Sequence, residues 1–125
     1  MKKAIQRLPD AELDVMLALW DIEEPALRAD IEKKLSDTHP MAQTTLLTLL
    51  SRLAEKGFLE ITKKGRASLY APSVKKDDYL SSQGENFFKK LCKGKISDLA
   101  TALCATGITK EEFDELKKLL EEDGL

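Results

Sequence analysis

The chain has 125 residues, of which 42% are hydrophobic and 34% are charged. That length fits one domain, or a small domain with an oligomerisation segment, and the apolar fraction excludes an intrinsically disordered chain. The 20 Lys and Arg residues are balanced by 22 Asp and Glu residues, which gives a net charge of −2. This balance excludes a histone-like protein that binds nucleic acid through a global basic excess, but it is compatible with a local basic patch.

The first two predicted elements are helices. Residues 10–21 carry apolar side chains at i, i+3, i+4 and i+7, which is the spacing of one helical face. These side chains are Leu13, Met16, Leu17 and Trp20. Residues 23–25, with their proline, end this pattern. A second helix is predicted over residues 26–36, and residues 37–40 form a turn.

The third predicted helix, over residues 41–56, has two chemically different faces. Its apolar stripe predicts burial, and Gly57 directly after it is typical of a helix C-terminus. At 100° per residue, the opposite face carries short hydroxyl side chains and one arginine. The stripe comprises Leu46, Leu49, Leu50 and Leu53, the opposite face comprises Thr44, Thr48, Ser51, Arg52 and Glu55, and Leu47 lies at the flank of the stripe.

A basic hairpin is predicted after the third helix. Its strands are residues 58–62 and 67–71, and Pro72 ends the second strand. The connecting residues are Lys63, Lys64, Gly65 and Arg66. Gly65 supplies the positive φ that a tight hairpin turn requires.

The composition changes after residue 72, because residues 73–125 contain neither Arg nor Trp. Three short helices are predicted there, over residues 77–93, 96–105 and 109–122. Their core would be thin, so we expect their apolar faces to pack against a second copy of the chain. The residues expected to form this dimer contact are Leu80, Phe87, Phe88, Leu91, Ile96, Leu99, Leu103, Phe113, Leu116 and Leu120.

The fold class predicted from this order is mainly α with a small β-hairpin. Residues 1–72 form a winged helix-turn-helix domain and residues 73–125 form a helical dimerisation domain. In a winged helix the third helix enters the DNA major groove and the wing contacts the backbone. Thr and Gln side chains hydrogen-bond base edges or phosphates, and basic wing residues neutralise phosphates. Residues 41–66 carry five basic and two acidic residues, so positive charge is concentrated where DNA contact is predicted.

Other functions are less well supported by the residues. A threonine-rich helix face and a basic turn are each most often only solvated, and a winged helix can also be a protein-docking module that binds no DNA. With one histidine, no Cys-x-x-Cys and no glycine-rich phosphate loop, we expect neither an enzyme nor a metal or cofactor site. Cys92 and Cys104 are expected to be small buried hydrophobic residues.

The location expected for the protein is the cytoplasm. The longest run without a charged residue, 38–51, has 14 residues and is too short for a span that needs about 20. The basic start, residues 1–7, is not followed by an apolar stretch, so we expect neither a secretory signal nor contact with a membrane.

The sequence resembles the penicillinase repressor family, also called BlaI/MecI/CopY, over nearly its whole length. The N-terminal part of the resemblance is residues 8–16 with Trp20. The central part is residues 45–53 and 55–57, and the wing matches at Gly65, Arg66, Tyr70 and Pro72. The tail is similar at Tyr79, Leu80, Phe88, Gly94 and Leu99.

The resemblance implies a homodimeric winged-helix repressor that binds a palindromic operator. Its two recognition helices would read half-sites about one DNA turn, ~34–36 Å, apart. The family's recognition positions correspond here to Ala42, Gln43, Thr44, Thr45, Leu47 and Thr48. Family members often carry a lysine in this stretch and this chain has none, so the resemblance does not fix its operator sequence.

Two modes of regulation are known in the family. Members that respond to β-lactams are cut at an Asn-Phe bond by a sensor-linked protease. The corresponding bond here, between Ala102 and Leu103, is the candidate site for inactivation by such a protease, although the Asn-Phe specificity itself is not carried over. Members that respond to copper bind it through a C-terminal Cys-x-Cys pair, which this sequence lacks. The resemblance therefore leaves the inducing signal open.

Overall fold

The computed structural model describes residues 5–122 of the chain. The chain divides into two compact units, Met1–Gln83 and Gly84–Leu125. The predicted boundary at residue 72 is earlier than this division, because Tyr79 packs in the core of the first unit. The first four residues of the predicted domain 1–72, within the basic start, and the last three of 73–125 lie outside the described residues.

Three helices and a sheet build the first unit. The helices are α1 (Asp10–Ile22), α2 (Arg28–Leu35) and α3 (Gln43–Glu55). The end of α3 is a Schellman motif, in which the N–H of Gly57 donates to the carbonyl of Ala54 and the N–H of Phe58 donates to that of Leu53. Gly57 adopts the left-handed conformation there, with φ of 81°. Buried Phe58 thus fixes the direction in which the chain leaves α3 and enters the sheet.

The sheet has three antiparallel strands in the order β1-β3-β2. They are β1 (Ala26–Leu27), β2 (Leu59–Lys64) and β3 (Ala67–Pro72). The predicted helix start at Ala26 is wrong, because Ala26 pairs with Tyr70 of β3. The Asp30 carboxylate accepts a hydrogen bond of 3.1 Å from the N–H of Leu27, the N-cap residue of α2. The helix therefore begins at Arg28, and the two residues before Arg28 form β1.

One hydrophobic cluster holds these elements together. It joins the helix stripes to the sheet and to the first turns of α4 (Lys76–Asn86). Tyr79 of α4 accepts a buried hydrogen bond of 3.0 Å from the N–H of Leu8, and its ring lies 5.8 Å from that of Phe58. A buried carboxylate, Glu12 on α1, is paired with Lys56 at 2.7 Å. This pair satisfies the charge of Glu12 and ties α1 to the end of α3.

The second unit contains most of the remaining helical structure. After α4 come a π-helical turn (Phe87–Leu91), α5 (Ile96–Ala105) and α6 (Lys110–Glu122). The predicted single helix over residues 77–93 is therefore interrupted, and its end is marked by positive φ at Lys93 and Gly94. A capping box starts α6, since the Glu112 N–H donates to the Thr109 hydroxyl oxygen at 3.1 Å and the Thr109 N–H donates to the Glu112 carboxylate at 3.0 Å.

Candidate nucleic-acid interface

The outer face of α3 is the centre of the candidate interface. Its leucine stripe is buried against the core, so the side chains opposite the stripe are held outward. All ten residues predicted to contact DNA are exposed, namely Ala42, Gln43, Thr44, Thr45, Leu47, Thr48, Arg52, Lys63, Lys64 and Arg66. These ten residues are called the α3–wing surface below. Ala42 is the N-cap of α3 and the next six residues of this set lie along the helix.

Two neighbouring exposed side chains on α3, Thr48 and Leu47, offer different kinds of contact to a ligand. The Thr48 hydroxyl donates a hydrogen bond of 3.0 Å to the carbonyl of Thr44, one turn earlier. Its proton is thereby used, and its remaining lone pairs can only accept a hydrogen bond from a ligand. Leu47 is 38% exposed beside it and offers an apolar contact. This part of α3 can therefore read a base amino group and a thymine methyl group.

The wing presents its basic residues at the tip of a tight hairpin. Lys63 pairs with Ser68 and Lys64 with Ala67, so Gly65 and Arg66 are the two central residues of the turn. Gly65 has φ of 64°, as expected at the first position of a type II′ turn. Within residues 5–122, the four basic residues of the α3–wing surface, Arg52 among them, form no ion pair. Their charges are thus available to an anionic partner.

A shallow groove brings α3, the wing and α2 together. Its volume is about 350 Å³. Its lining residues are Leu27, Arg28, Ala29, Leu47, Arg66, Ala67, Ser68 and Tyr70, and they define what is called the α2–wing groove below. Of the predicted set, only Leu47 and Arg66 line it. Arg28 and Ser68 were not predicted as site residues, because nothing in the local sequence indicates that Arg28 lies near a wing almost forty residues later.

The groups with shifted pKa values lie outside this surface. A hydrogen bond from Lys34 and its positive charge lower the pKa of the Asp21 carboxyl. Lys89 lowers the pKa of the Glu85 carboxyl in the same way. The Glu85 carboxylate in turn raises the pKa of Lys89. The N–H and hydroxyl of Thr109 lower the pKa of Glu112. These are the expected effects of surface ion pairs and of a helix cap.

The residues predicted to form a dimer contact lie on α4, the π-helical turn, α5 and α6. None of them is buried within one chain, and six are exposed, namely Leu80, Phe87, Leu91, Ile96, Phe113 and Leu120. The other four, Phe88, Leu99, Leu103 and Leu116, are half-buried. Leu119 is also exposed, at 52%, and was missed because it lies one position away from the predicted stripe on α6.

Further predictions concern single residues of the second unit. Ala102 and Leu103, the pair at the predicted cleavage position, are half-buried within α5. Cys92 is buried as predicted, whereas Cys104 is exposed, which corrects the expectation for it. The described part of the chain brings no three His, Cys, Asp or Glu side chains together as potential metal ligands. Within the same residues, every helix is too short or too polar to cross a bilayer.

Comparison with known proteins identifies relatives over almost the whole chain. The family model described as Penicillinase repressor matches residues 8–122. The penicillinase repressor of Bacillus licheniformis is 31% identical over 121 residues, which are 96% of this chain and 94% of that protein. The methicillin resistance regulatory protein MecI of Staphylococcus aureus is 25% identical over 121 residues, 96% of this chain and 98% of that protein.

Solved structures also match this chain. The monomeric form of Bacillus licheniformis BlaI, in complex with the blaP half-operator, is 38% identical, with a TM-score of 0.52 over 63% of this chain and 94% of that one. Halobacterial (H. salinarum) RosR is 17% identical, with a TM-score of 0.53 over 95% of this chain and 96% of that one, a likeness in fold alone. The predicted fold class, mainly α with a winged helix-turn-helix, is confirmed.

Proposed function

Because the chain belongs to the penicillinase repressor family, whose members are DNA-binding transcriptional repressors, we propose that it represses transcription as a homodimer bound to a palindromic operator. The α3 helix enters the major groove and the wing contacts the sugar-phosphate backbone. A bound dimer occupies promoter DNA and blocks transcription sterically.

The observation that carries this proposal is the α3–wing surface. It combines exposed hydrogen-bonding side chains on one helix with basic side chains that have no acidic partner within the described residues. A phosphate neutralised by such a residue releases its counterion, so each contact adds about one unit to the salt dependence of binding. Gln43, Thr44, Thr45, Leu47 and Thr48 read base edges, while Arg52, Lys63, Lys64 and Arg66 contact phosphates.

The solved structure of a relative supports the proposal that the DNA-binding unit of one chain binds one operator half-site. The Bacillus licheniformis BlaI structure contains a monomeric form with a half-operator. It is 38% identical to this chain over 63% of this chain's length. By analogy, one unit of this protein covers one half-operator, and a dimer covers two half-sites about 34–36 Å apart.

Dimerisation is assigned to the second unit. Its exposed apolar side chains, with Leu91 at 70% and Ile96 at 69% exposure, remain unburied within one chain. Packing against a second copy buries them and links the two DNA-binding units, which raises the affinity for a two-part site without any new base contact. Loss of the dimer, for example through a sensor-linked protease that cuts between Ala102 and Leu103, releases the operator. We expect the repressor to act on promoter DNA in the cytoplasm.

The experiment that tests the proposal is a salt titration of binding to a mixed-sequence DNA duplex. We expect affinity to fall steeply as salt rises, and Arg66→Ala to weaken binding equally on all sequences because it removes a phosphate contact. Lys33→Ala is the matched control, since it removes an exposed charge on α2 outside the α3–wing surface. An absence of binding at low salt would instead indicate a protein-docking module.

The base-reading residues are tested separately. Gln43→Ala and Thr44→Ala should change the half-site sequence that the protein selects from a random pool, because they remove hydrogen-bonding groups from the exposed face of α3. An unchanged preference would remove both residues from the set that reads bases.

A further inference from the structure

We infer that the α2–wing groove binds one phosphodiester of the DNA backbone between the guanidinium groups of Arg28 and Arg66, which makes Arg28 a DNA contact outside the α3–wing surface. This inference rests on the proposed function, since the phosphodiester belongs to the operator. It adds α2 to the two elements that hold the DNA.

The groove has the chemistry of a phosphate site. Arg28 of α2 and Arg66 of the wing line the same space of about 350 Å³, together with Ser68. None of its lining residues is acidic. Arginine binds phosphate through two parallel N–H groups, and a hydroxyl can donate a further hydrogen bond to one of the two non-bridging oxygens.

Arg28 is held ready for such a contact. Its Nη1 donates to the Glu32 carboxylate one helical turn later, which restricts the side chain before any ligand arrives. Within the described residues, its Nε and Nη2 groups make no hydrogen bond, so one two-donor edge of the guanidinium stays open. Orienting the group in advance lowers the entropy lost on binding.

The position of the groove agrees with a backbone contact. Leu47 of α3 forms part of its wall, and Arg66 comes from the turn of the wing. A strand whose base edge meets α3 near Leu47 therefore passes the groove on its way to the wing. The phosphate in the groove fixes the depth of α3 in the major groove, although it carries no sequence information itself.

The test measures binding of a labelled mixed-sequence duplex by fluorescence anisotropy over a series of salt concentrations. Arg28→Ala and Arg66→Ala should each weaken binding about tenfold at low salt, as expected for loss of a charge-assisted phosphate contact. The control Lys33→Ala should change affinity less than twofold. Since both arginines hold one phosphate, the double variant should lose less than the product of the two single losses.

Arg28→Lys keeps the charge and the alkyl stem but not the two-donor edge, so its affinity should lie between those of the wild type and Arg28→Ala. Thermal melting of each variant shows whether it is folded. If the wild type binds and Arg28→Ala behaves like Lys33→Ala, the inference is wrong and the proposed function stands. Fully multiplicative losses would exclude a shared phosphate. If the wild type binds no DNA, both fail together.

Discussion

The two units differ in how much apolar surface each can bury by itself. The first unit contains the whole buried cluster, with residues such as Met16, Leu50 and Phe58 almost fully enclosed. In the second unit Cys92 is the one buried hydrophobic residue among those described, and large side chains such as Leu91 remain exposed. The first unit therefore has a core of its own, whereas the second leaves most of its large apolar side chains exposed.

This difference suits a protein in which one part reads DNA and the other joins two chains. Burial of a large aliphatic side chain stabilises a structure by about 1.5–3 kcal/mol. In the first unit this stabilisation is available to a single chain. In the proposed dimer, the second unit gains this stabilisation when a second copy covers its exposed side chains, so its stability should depend on protein concentration.

Leu50→Ala should have the largest effect on the first unit. Leu50 is buried at the centre of the stripe on α3, and its truncation leaves a cavity. We expect the free energy of unfolding to fall by about 2–5 kcal/mol. Urea denaturation of the wild type and the variant at equal concentration measures this difference. A loss below about 1 kcal/mol would show that the core around α3 is not self-sufficient.

Leu91→Ala should act on the second unit through association. A dimer carries the residue twice, so we expect the dissociation constant of the dimer to rise about 10- to 100-fold. Sedimentation equilibrium over a range of concentrations measures the change. The matched control is Ile61→Ala on β2, a residue that is 43% exposed in the first unit and should leave the dimer intact. Equal effects of both variants would contradict the division of roles.

Glu112→Ala should have the smallest effect and should depend on pH. The hydrogen bonds from Thr109 lower the pKa of Glu112, so the folded state favours the ionised carboxylate. The stabilisation is fully present above the ordinary pKa of the carboxyl group and is lost as pH falls through its lowered value. The melting temperatures of the wild type and the variant should therefore differ at pH 7 and converge in strong acid. A difference that grows in acid would contradict this assignment.

Much of the first unit follows from local patterns in the sequence. The period of the leucines and the position of Gly57 predict α3 to within two residues at its start and one at its end. Gly65 between two strand-like segments predicts the wing turn. These features depend on neighbours in the chain, so local rules are sufficient for them.

Features that depend on distant partners could not be predicted in the same way. Ala26 and Leu27 are apolar residues before a helix, and only the position of β3 makes them a strand. Tyr79 belongs to the first unit because Leu8 and Phe58 surround it, although the composition changes after residue 72. Arg28 reaches the α2–wing groove for the same reason, since tertiary packing alone brings it near Arg66.

The most direct test of a two-fold symmetric DNA-binding repressor is selection of bound duplexes from a random pool with the purified protein. Two copies of a 14.0 kDa chain should enrich an inverted repeat whose half-sites are centred about one helical turn apart. Enrichment of a single half-site without its inverted copy, or of no sequence at all, would contradict the account.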